Sequence, residues 1–189
     1  MQALAVAALG IVWIGCRKIM AAPSPDHLSI GLILAGTAVA LFASERDAKD
    51  GADKAAPLLI VCFAMAGLTF MGASASIAQN ATAVSAALGG LLVMNWPKRR
   101  FGLNATARLV PIIVLAGLAT QIALFTTAPA WVLALLLPAL FADQLLDRWP
   151  AGHKALTRPV LIAFIALVPA VATLLVAWYA VFSTPSLGY

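Results

Sequence analysis

Catalysis and metal binding need histidines, thiols or carboxylates brought together, and this chain offers few: 2 His, 2 Cys and 7 Asp plus Glu in 189 residues. His27 and His153 fall between apolar stretches, so neither can serve as an axial haem ligand deep in a helix. No His, Cys, Asp or Glu cluster has metal-ligand spacing, and no metal or other cofactor is expected. Asp26, Glu45, Asp47, Asp50 and Asp53 lie in polar connections. Asp143 and Asp147, four apart on one helical face beside Arg148, stand near the end of an apolar stretch. They read as a solvated helix end, with a site where an ion or proton could enter as the alternative. Gly72-Ala73-Ser74 could suggest an intramembrane serine protease, but no histidine is placed to activate the hydroxyl. An aspartate-rich motif for lipid phosphotransfer is also lacking, so the chain reads as non-enzymatic.

What remains inside the apolar stretches is uncharged polarity: Asn80 and Thr82, then Thr120 and Gln121. Amides and hydroxyls in lipid must find partners. Either they tie helices together, or they face the glycerol or sterol hydroxyl of a lipid in a mostly apolar cavity. These four are the candidate lipid-binding residues.

The elements that must position them follow from composition. Hydrophobic residues make up 63% of the chain and charged residues 10%, with a mean hydropathy of +0.99, too little polar material to coat a water-soluble globule. Apolar stretches run over 3–15, 28–43, 58–72, 81–96, 109–126, 131–146 and 160–182. Most are slightly shorter than the roughly 20 residues a spanning helix needs. They are apolar on every face, which excludes the alternating pattern of membrane strands. The expected fold is all-α, a polytopic transmembrane helical bundle of six to seven spans forming one domain over 1–189. The longest polar segment, 44–56, leaves no room for an extramembrane domain.

Orientation follows from the basic residues. Arg46, Lys49 and Lys54 follow the second stretch, Lys98, Arg99, Arg100 and Arg108 the fourth, and Arg148, Lys154 and Arg158 the sixth. The positive-inside rule then places those loops and the N-terminus in the cytosol. Arg17 and Lys18 fall outside this pattern and are read as snorkelling to headgroups, with contact to an anionic ligand as the alternative. Trp96 and Trp149 map to cytosolic ends, and Trp13, Trp131 and Trp178 to outer ends, as interfacial tryptophans do. The +5 charge is thus a topology and headgroup signal, and no nucleic-acid partner is expected. Cys16 and Cys62 map to opposite faces, so no disulfide is implied. The N-terminus lacks the basic start of a signal peptide and reads as a span. Asn80-Ala81-Thr82 and Asn104-Ala105-Thr106 match the glycosylation pattern, but one hugs the membrane and the other maps to the cytosol.

Pro138 and Pro169 fall within spans six and seven, where a missing amide donor kinks a helix. Residues 72–90 are nearly all small, with close-packing spacings at Gly72 and Ser76, Ser85 and Gly89, and Ala86 and Gly90. Gly72, Ser76, Ser85 and Gly89 are the candidate helix-packing positions, within the monomer, with an oligomer contact or a cavity wall as the alternatives. The run 32–44 weakly echoes 113–126.

The order of several pieces resembles the Insig (insulin-induced gene protein) family, over about 28–150. Gly36-Thr37-Ala38 is similar to that family's GTAAA in the second span. Cys62 followed by Ala73-Ser74-Ala75 resembles a family cysteine and its HASAK motif. Asn80 and Thr82 with Ala86-Ala87-Leu88 are similar to QLSLTLAAL, Lys98-Arg99-Arg100-Phe101-Gly102-Leu103 looks like the turn RSRSGFGL, and Thr120-Gln121 matches a TQ pair. The chain departs from the family at Gly72 and Ser76, where HASAK has His and Lys, at Pro97, and at Val93 and Met94. A seventh span at 160–182 has no counterpart in a six-span family.

The departures fall on positions tied to protein partners, so what the resemblance implies is a lipid-holding cavity, for a sterol or a two-chain glycerolipid such as a diacylglycerol-type lipid. The expected partner is membrane lipid; a homo-oligomer or a membrane-protein partner stays open. The alternatives are a small-molecule facilitator or channel, or a packing subunit of a larger membrane complex. The expected location is the inner membrane in a prokaryote, which the Ala-rich, short-loop style suggests, or the endoplasmic reticulum in a eukaryote.

Overall fold

The computed structural model describes residues 2–21, 25–46, 54–72, 74–96, 100–102, 105–126, 130–148 and 157–182. The side chains of Cys16, Arg17, Lys18 and His27 lie outside the described set, as do Lys98, Arg99, Asn104, Trp149, His153 and Lys154.

Most of the described residues are helical, with no strand among them. In chain order they form α1 (Gln2–Ala21), α2 (Pro25–Arg46), α3 (Ala55–Met71), α4 (Ala75–Met94), α5 (Ala105–Phe125), a 3-10 helix (Ala130–Phe141) running into α6 (Ala142–Asp147), and α7 (Arg158–Phe182). Each apolar stretch of the sequence has its helix. Pro25, Pro57 and Pro159 fall in the first turns of their helices, where a missing amide donor costs little. Pro111, inside α5, joins Pro138 and Pro169 as a proline within a helix.

Three helices are long and apolar enough to cross a membrane: α4, α5 over Ala107–Phe125, and α7 over Arg158–Ala180. The sixth element gains its length from its winding. The 3-10 helix has 12 residues at roughly 2.0 Å rise each. With the 6 residues of α6 at about 1.5 Å each, it reaches about 33 Å, enough for a hydrocarbon core of about 30 Å.

α3 is the central element, packed against α4, α5, α7 and the 3-10 helix, while α1 lies at the edge against α2 and α5. Small residues fill the interior: Ala55, Ala64, Ala81, Ala139, Ala166 and Ala177 are buried. Large apolar side chains cover the outside, with Phe70 80% and Trp13 82% exposed. A water-soluble protein hides such side chains. Lipid removes that need and leaves close packing of small residues to hold helices together. Trp96, Trp131 and Trp178 are also on the outer surface.

Candidate functional site

The residues singled out from sequence do not converge. Asn80 and Thr82 lie on the exposed side of α4, and the Thr82 hydroxyl donates to the Ala78 carbonyl at 2.8 Å. Thr120 is fully buried on α5, where its hydroxyl donates to the Ala116 carbonyl at 2.8 Å. Gln121, beside it, is half-buried. None of the four lines any of the three pockets described below. The need for a hydroxyl partner in lipid is met within the turn, by the carbonyl four residues back.

The packing positions divide. Ser85 donates to the Leu59 carbonyl of α3 at 3.3 Å, and a Cβ on Gly89 would stand 3.2 Å from Leu59 Cδ1, so this pair seats α4 on α3. Gly72 closes the far end of α3 against α5, where an added Cβ would meet Thr126 Cβ at 3.0 Å. Ser76 is exposed, and a Cβ on Gly90 would meet nothing within 4 Å.

The structure instead opens a cavity of about 80 Å³ between α2, α3, α5 and the 3-10 helix. Its walls include Ile33 and Gly36 of α2, Met65 of α3, Ala116 and Ala119 of α5, and Leu137. Gly36 sets one wall, since a Cβ there would come within 3.1 Å of Leu137 Cδ2. Thr37 donates its hydroxyl to the Ile33 carbonyl at 2.7 Å, which satisfies its polar atom locally. The small side chains of Ala40, Ala116 and Ala119 leave the space open. The echoing runs 32–44 and 113–126 thus belong to α2 and α5, which pack together and share this cavity.

Below it lies a charged pocket of about 50 Å³, lined by Lys54, Arg108, Asp143 and Gln144 with Pro57 and Phe141 among its apolar walls. Ala40, Ile112 and Leu140 line both spaces, so the apolar cavity and the charged pocket share a wall. Lys54 and Arg108 are each 5% exposed and Asp143 7%. Lys54 Nζ stands 3.8 Å from Asp143 Oδ2, and Arg158 pairs with Asp147 beside them. Burial lowers the Lys54 amine below its ordinary value, repulsion from Arg108 lowers it further, and Asp143 pulls it back up.

Asp143 and Asp147 therefore part company, although the sequence joins them on one face. Asp147 is exposed, as a solvated helix end would be, whereas Asp143 is buried in the pocket. Lys54 and Arg108 carried only an orientation signal in the sequence. Their positions in the first turns of apolar helices, Lys54 directly before Ala55-Ala56-Pro57, were the available sign of burial.

Asn95, which no sequence pattern singled out, organises the neighbouring turn. Its Nδ2 donates to the Leu91 carbonyl at 2.9 Å, and its Oδ1 accepts the backbone N–H of Arg100 at 2.9 Å and of Phe101 at 2.8 Å. A second, wholly apolar groove of about 380 Å³ lies on the outer surface between α3, α4 and α7, bordered by Leu59, Trp96, Val160 and Phe164. Among the described residues no group of His, Cys, Asp and Glu is arranged to hold a metal ion. In comparisons with known proteins, no family model, curated protein or solved structure matches this chain.

Proposed function

We propose that this chain is a non-enzymatic lipid-binding membrane protein with an Insig-like bundle, which holds an acyl chain of a membrane amphiphile between α2, α3, α5 and the 3-10 helix. One observation carries the reading: the apolar cavity shares Ala40, Ile112 and Leu140 with a pocket lined by Lys54, Arg108 and Asp143. An amphiphile has both a part that suits each space and the length to occupy both. The bundle crosses the bilayer seven times, N-terminus in the cytosol. The meeting of Lys54, Asp143, Asp147 and Arg158 at one end supports this topology, because it joins residues that follow the second span with those around the sixth and seventh. The membrane is the inner membrane of a prokaryote on this reading.

Size narrows the occupant. At about 80 Å³ the cavity is smaller than the ~150 Å³ cavities that admit benzene. A sterol ring system does not fit within it, nor do two acyl chains side by side. A segment of one chain does, which favours a glycerolipid with one chain inside and the other against the bilayer. Transfer of that chain from surrounding lipid gains little from the hydrophobic effect, so polar contacts at the charged end must supply preference.

Native mass spectrometry with lipid extraction on detergent-purified protein tests the reading. The expected result is one lipid class retained at a fixed ratio, lost in Ala116→Leu, whose added carbons fill the cavity. A lipid mixture mirroring the host membrane, unchanged by that substitution, would remove the assignment and leave a facilitator or a packing subunit as the better reading.

A further inference from the structure

α4 sits at the edge of the bundle. It packs mainly on α3, and 22% of its span is buried, against 28% for α7 and 50% for α5. Its inward side is Ile77, Ala78, Ala81, Ser85 and Leu88, and the opposite side carries Ser76, Gln79, Ala83, Ala86 and Gly90, all exposed. α7, the other poorly buried span, covers its outside with Phe164, Val168, Leu175 and Tyr179, as a helix facing lipid does. Among the described residues of α4, no large apolar side chain is exposed before Val93. Two amides, Gln79 and Asn80, are exposed there instead, and neither has a hydrogen-bond partner among the described residues. Acyl chains offer an amide no partner, and an unpaired one is costly in hydrocarbon.

We propose that this outward face of α4 pairs with the same face of a second copy of the chain. Copies that insert with one orientation bring their α4 helices together in parallel across a two-fold axis, so each residue near the axis meets its own counterpart. Gln79 then meets Gln79, and since an amide both donates and accepts, each satisfies the other. The spacing fits such a pair: Ser76, Ala83 and Gly90 are seven apart, with Gln79 and Ala86 three residues after the first two. This is the repeat of a helix-helix seam, in which a single polar position fixes the register. Small side chains along the seam let the backbones approach closely, which is what holds helices together in lipid. A Cβ on Gly90 would meet nothing of its own chain within 4 Å, so the seam is open to a neighbour along its length. The inference stands apart from the amphiphile reading, because α4 does not line the apolar cavity.

Single cysteines introduced into the full chain, reconstituted at low density in phosphatidylcholine vesicles and oxidised with copper phenanthroline, test the pairing. The wild type with its own Cys16 and Cys62 serves as the blank. Ala83→Cys and Ala86→Cys are expected to give a product of two chains, and Phe164→Cys, on the outside of α7, none above the blank. Ala83→Leu combined with Ala86→Leu should give single chains by native mass spectrometry with unchanged helix content, since both side chains lie outside the bundle. Gln79→Leu should lower the association constant about threefold to twentyfold, and Gly90→Ala, which keeps the seam small, should retain the pair. Ala116→Leu, in the cavity wall, should leave pairing unchanged, and lipid retention should survive the double leucine variant. Single chains in the wild type at every density would overturn the proposal. Equal cross-linking through Phe164→Cys, or pairing that survives the double leucine variant, would also overturn it, by assigning the contact to collision or to another face. Capture of a different membrane protein through Ala83→Cys, in place of a second chain, would overturn the choice of partner.

Discussion

Lys54, at the start of α3, stands 3.8 Å from Asp143 in α6, with side-chain exposures of 5% and 10%. Residues nearly ninety positions apart thus meet across the bundle end. Removing one partner takes a buried counter-charge from the other, at about 3 kcal/mol. Lys54→Met and Asp143→Leu are each expected to lower stability by about that amount in neutral detergent, and the double variant by less than their sum. Denaturant titration of the four proteins measures the coupling; additive losses would show that the two charges act separately.

The same lysine gives a pH dependence. Its folded-state value lies below the ordinary 10.5, chiefly through burial and then through Arg108. Between that lowered value and 10.5 the unfolded chain binds more protons than the folded one, so stability rises with pH across this window. The thermal midpoint should therefore climb less steeply with rising alkaline pH in Lys54→Met than in the wild type.

Three glycines separate close packing from mere smallness. Gly67 would bring a Cβ to 2.9 Å from Leu174 Cδ2, the end of a side chain that can rotate away. Gly72 would bring one to 3.0 Å from Thr126 Cβ and 3.3 Å from the Leu68 carbonyl oxygen, neither of which yields easily. Gly72→Ala should cost about 1–3 kcal/mol and Gly67→Ala less. Gly90→Ala, with open space around it, should be neutral or gain up to about 1 kcal/mol from helix propensity. Thermal shift measurements on the three variants test the order.

Asn95→Ala removes the acceptor of the Arg100 and Phe101 amides at a cost of about 1–2 kcal/mol. The basic turn that follows should then be cut faster by trypsin. Limited proteolysis of inverted vesicles reads the rate, and an unchanged rate would show that the turn is held by other contacts.

The sequence made the number and order of helices legible because polar breaks separate seven apolar stretches that the helices then follow. It did not make rotation legible. The buried side of α4 is Ile77, Ala78, Ala81, Ser85 and Leu88, and its exposed side carries Val93 and Met94, so hydrophobicity does not mark which face turns inward. Asn80 and Thr82 accordingly could not be assigned a side. Thr120 was legible as buried, but its hydroxyl is satisfied by its own helix, which leaves no demand for a ligand. The charged pocket escaped notice because basic residues near helix starts carry the orientation signal whether they are buried or solvated. Only the folded bundle, which brings the starts of α3 and α5 and Asp143 of α6 to one pocket, distinguishes the two.

The most direct test of a chain-holding cavity is photocrosslinking of the reconstituted protein with a glycerolipid carrying a diazirine midway along one acyl chain, with the labelled residues mapped by mass spectrometry. Labelling at Ile33, Ala116, Ala119 and Leu137, lost in Ala116→Leu, is the result expected from a chain between α2, α5 and the 3-10 helix. Labelling confined to outward side chains such as Phe63, Phe70 and Tyr179, unaffected by that substitution, would contradict it.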